Sequence, residues 1–333
     1  MTHASHYDDR RSHQRKRGES RLSSQKHSIT FLSRDSQQAF WIVARVIQRP
    51  DREVLVLLSQ GSTNTLKIES IIRGHVIGDH ICVRDGTYIG VYEQSHTLCR
   101  MKGDSDRYSL GVRREQTIAT NIDTIVIVAS VSQPHFQPGF LDRYLLLSEY
   151  CQIPAVIVLT KSDLALIPHD LLAPYRDILK LPIFITSSDD PDSLSSLRSY
   201  LSDKVSVFVG KSGVGKSTLT NCLLGREVAT EGEVSRIDQQ GRHTTTGSSL
   251  YSLPDGGYII DTPGIRSLDF LELKHSEIRL YMSDIAKIGL SCHYRSCLHQ
   301  GEDGCAIQDA IKTGLLSKAR YESYIRLLNE AKK

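Results

Sequence analysis

A glycine-rich segment in the second half of the chain has the residue types and spacing needed to bind phosphate. It follows the pattern Gly-x-x-x-x-Gly-Lys-Ser and consists of Gly210, Lys211, Ser212, Gly213, Val214, Gly215, Lys216 and Ser217. Its glycines allow a tight turn whose backbone N–H groups converge on phosphate. Lys216 is expected to bridge the β- and γ-phosphates of a nucleotide, and the Ser217 hydroxyl is expected to ligate Mg²⁺. A buried strand predicted over Val205–Val209 and a helix predicted from Ser217, which brings Thr218 to the phosphates, favour this interpretation over a chance glycine-rich turn.

A second segment, upstream of the phosphate loop, has the chemistry to recognise a guanine base. Thr160, Lys161, Ser162 and Asp163 follow an apolar strand predicted over Ala155–Leu159. The Asp163 carboxylate can accept hydrogen bonds from guanine N1–H and from the 2-amino group, whereas adenine presents no such pair of donors. Lys161 is expected to pack over the base and ribose. A motif this short is weak evidence by itself, and its position before the phosphate loop is the reverse of the order in most GTPases.

Small polar residues complete the candidate guanine site. Thr160 stands where asparagine is common, and its hydroxyl can still hold the loop by hydrogen bonding. Ser187 and Ser188 follow a strand predicted over Ile183–Ile185 and form a small-residue turn that can close over the base with a backbone N–H. Ser188 replaces the frequent alanine, which is also small. We therefore expect guanine specificity to be retained.

Two loops further along the chain have the residues that a GTP site needs for Mg²⁺ and the γ-phosphate. Asp261 ends an apolar segment and suits Mg²⁺, held directly or through water, while the Gly264 amide is expected to contact the γ-phosphate. Residues 241–246 are polar and typical of a mobile loop that orders on GTP binding, in which Thr245 suits both Mg²⁺ and γ-phosphate. The alternative is an ordinary threonine-rich loop.

The water that attacks the γ-phosphate needs a side chain to orient it. Ile265, and not a glutamine, follows Gly264, and an apolar side chain cannot orient water. His243 lies in the loop of residues 241–246, the candidate switch loop, and is the best candidate for this role. The alternative is that His243 only packs or binds RNA.

Alternating strand and helix patterns predict a multidomain α/β protein whose nucleotide domain is a doubly wound, mostly parallel sheet. Ligands of such sheets bind at the carboxyl ends of the strands, and each motif above follows a predicted strand or lies in a loop at that edge. The termini of such domains are often close together, so a permuted chain order can preserve the site. The predicted strands are Thr124–Ser130, Ala155–Leu159, Ile183–Ile185, Val205–Val209 and Tyr258–Ile260.

A cysteine- and histidine-rich stretch in the last fifty or so residues has the spacing of a metal site. Cys292, Cys297, His299 and Cys305 give Cys-x4-Cys-x-His-x5-Cys, and three thiolates with one imidazole suit a closed, structural Zn²⁺ site. His293 is a rival ligand, and an unmetallated cysteine-rich loop is the remaining alternative. The other cysteines lie in apolar contexts and are expected to be reduced core residues, so we expect no disulfide framework.

Composition and charge outline the rest of the chain. The 333 residues carry a net charge of +3, which is too small to indicate nucleic acid by itself. Residues 1–35 are basic, rich in Ser, Gln and His, and predict a disordered tail. Residues 36–109 contain short strands punctuated by glycines and predict a small β-barrel. No apolar run reaches transmembrane length and no signal segment opens the chain, so we expect a reducing cytoplasm and no membrane.

Together these motifs resemble the circularly permuted GTPases, and more closely the family of ribosome small-subunit-dependent GTPase A proteins (RsgA, or YjeQ). The resemblance rests on the guanine segment, the phosphate loop, the candidate switch loop, the Asp-Thr-Pro-Gly segment that begins at Asp261, residues 119–123 and the cysteine cluster. It covers roughly residues 36–330. It implies that the barrel is an OB-fold, favours His299 over His293 as the zinc ligand, and supports His243 as the water-positioning residue. It also implies a monomer that binds the small ribosomal subunit late in maturation, with its OB and zinc domains on ribosomal RNA.

The predicted function is hydrolysis of GTP to GDP and phosphate, stimulated by the small ribosomal subunit. The predicted domains are a tail (1–35), an OB-fold barrel (36–109), a permuted GTPase domain (110–270) and a helical zinc-binding domain (271–333). Because the chain continues from Gly264 into the zinc domain, we expect nucleotide state to move that domain. The alternatives are an RNA-binding scaffold that senses GTP with little turnover and a permuted GTPase acting on the large subunit. Asp163 disfavours an ATP-dependent kinase or ATPase.

Overall fold

The computed structural model describes residues 31–32, 41–48, 52–59, 62–69, 74–84, 87–102, 114–166, 169–227, 249–261, 273 and 275–331. These residues fall into two compact units. The first contains the strands up to residue 93, and the second contains Val76–Gly78 and everything from Gln94 onward. Every helix within these ranges is too short or too polar to span a bilayer.

The first unit is a six-stranded sheet with the strand order β1-β6-β5-β2-β3-β4. Its strands are β1 (Phe31–Leu32), β2 (Trp41–Gln48), β3 (Arg52–Ser59), β4 (Ser62–Glu69), β5 (His80–Arg84) and β6 (Thr87–Tyr92). Neighbouring strands pair antiparallel, except β1, which runs parallel to β6. The β-rich character expected of this region is confirmed. Among the described strands β1 and β4 stand at opposite edges, so the barrel and its OB topology stay a prediction.

The second unit contains a six-stranded sheet with the order β11-β10-β9-β12-β14-β13. Its strands are β9 (Thr124–Ser130), β10 (Ala155–Thr160), β11 (Ile183–Ile185), β12 (Val205–Val209), β13 (Ser249–Ser252) and β14 (Tyr258–Asp261), preceded by a ribbon of β7 (Leu98–Lys102) and β8 (Arg114–Ala119). All neighbours in the six-stranded sheet pair parallel except β13 and β14. The central strands are β-branched and almost wholly buried, as expected when helices cover both faces of a parallel sheet. The doubly wound, mostly parallel sheet is thus confirmed.

Helices connect these strands and then form the C-terminal part of the unit. They are α1 (Pro138–Cys151), α2 (His169–Ala173) with a π-helical turn (Pro174–Ile178), a 3₁₀ turn (Pro191–Leu194) leading into α3 (Ser195–Leu201), α4 (Lys216–Leu224), α5 (His275–Ile278), α6 (Ser283–Gly289), α7 (Ala306–Lys312) and α8 (Lys318–Glu330). α1 begins with a proline in its first turn, where the missing N–H costs nothing, and ends at Gln152 in the left-handed conformation. α1 is one of the helices that the alternating strand and helix patterns of the sequence predict.

Among the described residues of the second unit, two apolar clusters pack helices against the sheet and against one another. One lies between the sheet, α3 and α4, and includes Val128, Val158, Leu197 and Leu223. The other joins the C-terminal helices to one another and to α1, through Leu146. The C-terminal helices therefore share a core with the nucleotide domain, although the sequence patterns place a domain boundary at residue 271.

Two further boundaries differ from the sequence-based expectation. Phe31–Leu32 lies inside the predicted tail but adds to the sheet edge beside Val91 and Tyr92, where two apolar residues gain backbone pairing. β7 lies inside the predicted barrel but belongs to the second unit, because it pairs with β8, which leads directly into β9. The remainder of the predicted tail lies outside the described residues.

Candidate nucleotide site and metal centre

The phosphate loop links the carboxyl end of β12 to the first turn of α4, as its sequence predicts. Gly213 and Gly215 have φ values of 80° and 90°, which side chains adopt only with strain. At Gly210 a Cβ atom would lie 2.3 Å from the carbonyl oxygen of Val128, so only glycine fits there. The Lys216 Nζ atom donates to the carbonyls of Gly210, at 2.7 Å, and Lys211, at 2.8 Å. The ammonium group therefore lies over the loop that is expected to hold phosphate.

The guanine segment meets this loop directly. The Thr160 hydroxyl, buried at the end of β10, donates to the carbonyl oxygen of Val214 at 2.5 Å. The Lys161 Nζ atom donates to the carbonyl of Gly213 at 2.8 Å. Segments that are far apart in the chain thus share one edge of the sheet, and the threonine hydroxyl makes the loop-holding hydrogen bond expected of it.

Serine hydroxyls arrange the residues that would face the base. The Ser187 hydroxyl donates to Asp163 Oδ1 at 2.6 Å, which orients the carboxylate and leaves Oδ2 for a second donor. The backbone N–H of Ser187 donates to Ser193 Oγ, and that of Asp189 donates to Ser187 Oγ, both at 3.1 Å. The N–H of Ser188, which lies between them in the chain, is the candidate donor to an acceptor on a base.

The Mg²⁺ side of the site is described in part. Asp261 ends β14, the parallel neighbour of β12, so its carboxylate stands at the same sheet edge as the phosphate loop. Ser217 and Thr218 lie in the first turn of α4. The other predicted contacts, Thr245, Gly264 and the candidate water-positioning His243, lie outside the described residues.

One contact of the site has no counterpart in the sequence motifs. Lys161 Nζ also donates to the carbonyl of Gln133, at 2.6 Å. Gln133 belongs to the loop between β9 and α1, which the hydroxyl of Ser130 closes by donating to the carbonyl of Pro134 at 2.6 Å. Because the acceptor is a backbone carbonyl, no residue type or spacing in the sequence could have indicated it.

The predicted metal ligands converge in the C-terminal helical part. The donor atoms of Cys292, Cys297, His299 and Cys305 all lie within 4.8 Å of one another, and three of the four residues are buried. His299 Nδ1 lies 3.5 Å from the Cys292 sulfur and 3.6 Å from the Cys305 sulfur. A tetrahedral ion with thiolate at about 2.3 Å and imidazole nitrogen at about 2.0 Å separates such donors by about 3.5 Å. The cluster therefore fits a metal ion.

The surroundings of the cluster hold its loop and oppose thiolate formation when no cation is present. Burial raises the pKa of the Cys297 thiol to about 12, with further contributions from Cys305 and Cys292. Burial lowers the pKa of His299, which keeps its imidazole neutral, the form that binds metal. The Glu302 carboxylate accepts from the backbone N–H groups of Leu298 and Gln300, both at 2.6 Å. A dication would offset the cost of forming three thiolates here, two of them on buried cysteines.

Fold and site together define a class of protein. A phosphate loop and a guanine-reading segment share the carboxyl edge of one parallel sheet, and the guanine-reading segment comes first in the chain. This is the arrangement of a circularly permuted P-loop GTPase.

The chain belongs to the RsgA GTPase family. The family's sequence profile matches residues 93–271. The small ribosomal subunit biogenesis GTPase RsgA of Chlorobaculum parvum is 39% identical over 248 residues, which are 74% of this chain and 78% of that protein. The protein of the same name from Actinobacillus pleuropneumoniae serotype 5b is 35% identical over 85% of this chain and 83% of its own length.

Two solved structures share the fold. YjeQ from Thermotoga maritima aligns over 88% of this chain and 98% of its own, with a TM-score of 0.64 and 23% identity, which supports the fold alone. YloQ, described as a circularly permuted GTPase, aligns over 89% of this chain and 96% of its own, with a TM-score of 0.62 and 25% identity.

Proposed function

We propose that this chain hydrolyses GTP to GDP and phosphate and acts in maturation of the small ribosomal subunit. One observation carries the proposal: the guanine segment and the phosphate loop are joined by the Thr160–Val214 and Lys161–Gly213 hydrogen bonds. A base held by Asp163 and phosphates held at Lys216 would then belong to one nucleotide. The names of the relatives supply the biological context, since they are small-subunit biogenesis GTPases.

The chain's own residues would act mainly by positioning and charge stabilisation. The amides of the phosphate loop and the N-terminus of α4 would bind the phosphates, and Lys216 would exchange its present carbonyl partners for phosphate oxygens. Ser217, Thr245 and Asp261 would hold Mg²⁺, which when bound neutralises charge that develops on the phosphates. The Ser188 N–H would meet guanine O6, while Asp163 accepts from N1–H and the 2-amino group.

The attacking water is assigned to His243, in a loop that would order around the γ-phosphate. Intrinsic turnover should then be slow and should rise when a partner orders that loop. The partner we propose is the small ribosomal subunit, contacted through its ribosomal RNA, with a cytoplasmic monomer as the acting form.

For the metal centre we propose one structural Zn²⁺ held by Cys292, Cys297, His299 and Cys305. Three thiolates and one imidazole in a buried, closed set match zinc and leave no position for a reacting water. The ion would fold the loop that precedes α7.

The decisive experiment measures phosphate release from GTP and from ATP, with and without purified small subunits. We expect GTP turnover that small subunits accelerate at least tenfold, and negligible ATP turnover, because adenine lacks the pair of donors that guanine presents to Asp163. Large subunits serve as the matched control and should not accelerate turnover. The His243→Ala variant should bind GTP normally and lose the stimulated turnover. GTP binding without turnover under every condition would instead identify a GTP-sensing scaffold.

A further inference from the structure

The nucleotide site is contacted by a third segment, the loop between β9 and α1, in addition to the phosphate loop and the guanine segment. This third segment comprises residues 131–137 and lies against the outer face of the phosphate loop, where Pro134 and His135 line one small cavity together with Lys211 and Val214. None of the nucleotide-binding motifs includes this loop. Its contacts nevertheless reach both the phosphate loop and the guanine segment.

Lys161 is the point at which the three segments meet. Its ammonium group donates to the Gly213 carbonyl of the phosphate loop, at 2.8 Å, and to the Gln133 carbonyl of the β9–α1 loop, at 2.6 Å. An ammonium group that binds two carbonyls on different segments has its side-chain direction defined by both. The Gln133 carbonyl therefore helps to fix the side chain that is expected to pack over the base.

The backbone at this contact is strained on both sides. Gln133 has φ of 50° and Lys161 has φ of 60°, values that residues with a side chain adopt at a cost of about 1 kcal/mol or more. Such conformations persist where surrounding contacts over-determine them, and they concentrate at ligand sites. Here the two residues are joined by the hydrogen bond from Lys161 Nζ to the Gln133 carbonyl.

Ser130 holds the loop in this form. Ser130 is 2% exposed, at the end of β9, and its hydroxyl lies 2.6 Å from the Pro134 carbonyl and 2.9 Å from the Ser132 carbonyl, one on each side of Gln133. The single hydroxyl proton goes to the nearer carbonyl, that of Pro134. Removing the hydroxyl would leave this carbonyl without its donor and free the Gln133 carbonyl to move away from Lys161.

We propose that Ser130 is a positioning residue for nucleotide binding, which acts by holding the Gln133 carbonyl against Lys161. This proposal rests on the proposed guanine-nucleotide site. It predicts that Ser130 affects the affinity for guanine nucleotide even though it belongs to none of the recognised motifs and touches no part of the expected ligand.

The test measures the dissociation constant of a fluorescent GDP analogue for the full-length chain and its variants. We expect Ser130→Ala to weaken binding about tenfold, which corresponds to the loss of one positioned hydrogen bond. Ser148→Ala is the matched control, since the Ser148 hydroxyl is also buried and donates to a backbone carbonyl, that of Ile153, at 2.5 Å, at the far end of α1. Ser148→Ala should lower the melting temperature about as much as Ser130→Ala does, and it should leave the affinity for the GDP analogue unchanged.

A double-mutant cycle separates positioning from general destabilisation. If Ser130 acts through Lys161, Ser130→Ala should weaken binding less than about twofold in a Lys161→Ala background, because the side chain that it positions is absent. Full additivity of the two substitutions, or unchanged affinity in Ser130→Ala alone, would overturn the proposal. Failure of the proposed function itself would look different, because the unsubstituted chain would then not bind the GDP analogue at all.

Discussion

At the scale of single residues, neighbouring side chains of the guanine segment perform different tasks. Thr160 is buried and ties the segment to the phosphate loop, so it contributes to the shape of the site. Asp163 is exposed, and one of its carboxylate oxygens is held by the Ser187 hydroxyl, so it contributes to the choice of base. A threonine has a single proton to donate, which goes to the nearer carbonyl, that of Val214, rather than to Ala129 at 3.3 Å.

Asp163→Asn should change the base preference of the site. The amide presents a donor where the carboxylate accepted, so we expect GDP affinity to fall about a hundredfold through loss of charge-assisted hydrogen bonds. Xanthosine diphosphate, which has a carbonyl in place of the 2-amino group, should bind more tightly than it does to the unsubstituted chain. Both changes can be measured by competition with a fluorescent nucleotide.

Asp192→Asn is the control for this substitution. Asp192 is an exposed carboxylate in the first turn of the neighbouring 3₁₀ helix. Asp192→Asn should change neither the affinity for GDP nor the affinity for xanthosine diphosphate. Equal losses of GDP and xanthosine diphosphate binding in Asp163→Asn would mean that Asp163 does not contact the base.

At the scale of elements, the metal loop is assembled from turns that join α6 to α7. His299 has φ of 63°, and a Cβ atom on Gly289, at the end of α6, would lie 2.9 Å from His299 Nε2. The hydroxyls of Tyr321 and Tyr324 on α8 donate to the carbonyls of His299 and Leu298, both at 2.8 Å. α6 and α8 therefore contact the loop from outside, while a metal ion would hold it from within.

Substitution of the two candidate histidines should have opposite consequences for metal content. His299→Ala removes one of the four converging donors. Bound zinc should then fall well below the content expected of the unsubstituted protein, which is about one ion per chain. His293→Ala should leave zinc content unchanged, because the converging donor set does not include His293. Elemental analysis of the purified proteins measures both. Zinc retained by His299→Ala and lost by His293→Ala would reverse the assignment.

At the scale of the whole second unit, a buried ionic cluster joins the last helix to the nucleotide domain. Arg320 on α8 donates to Asp142 on α1 at 2.6 Å and to Asp284 on α6 at 2.9 Å and 3.1 Å, and all three residues are at most 8% exposed. Burial raises the pKa of Asp142, while the charge of Arg320 acts to lower it. The carboxylates also raise the pKa of Arg320 against the effect of burial, so the guanidinium stays charged.

Arg320→Met should destabilise the protein by about 3–5 kcal/mol, because it leaves two buried carboxylates without a cation. Denaturant unfolding measures the loss. The loss should be smaller near pH 5 than near pH 8. Without the Arg320 charge that acts to lower it, the pKa of Asp142 in the folded variant rises further. The folded variant then binds more protons than its unfolded chain, so its stability rises as pH falls. Adding Asp142→Asn and Asp284→Asn should recover part of the stability.

Lys312→Met is the control for the cluster. Lys312 pairs with Asp309 at 3.0 Å, but both side chains are about three-quarters exposed, so solvent screens the pair. We expect no measurable change in unfolding free energy. If Arg320→Met costs no more than this control, α8 is not anchored by its buried charges.

The anchored last helix also limits the expected movement of the metal domain. The sequence places a boundary at residue 271 and predicts that nucleotide state moves everything beyond it. In the structure Arg320 and Leu146 tie the C-terminal helices to α1, so the second apolar cluster spans that boundary. Movement transmitted through the segment after Gly264 stays a prediction, and it would have to carry α1 or break these contacts.

Much of the fold could be predicted because its signals are local. The strands Thr124–Ser130, Ile183–Ile185 and Val205–Val209 are predicted and observed with the same bounds, since short runs rich in β-branched and aromatic residues are typical of strands. The phosphate loop and the four metal ligands are also predictable, because each function needs particular residue types at short, regular spacing. The limits of the first unit were less accurate, because pairing of β1 and β7 depends on partners elsewhere in the chain.

The amino-acid sequence by itself determined which chemical groups this protein has, and it indicated the class of ligand for which they are suited. Only the tertiary structure decided which atoms those groups contact. Lys161 meets the carbonyl of Gln133, and Arg320 meets Asp142, through strand order and helix packing. The physical reason is that a backbone carbonyl is the same in every residue, and a buried charge can pair with any opposite charge. Neither has a sequence signature until folding brings the partners together.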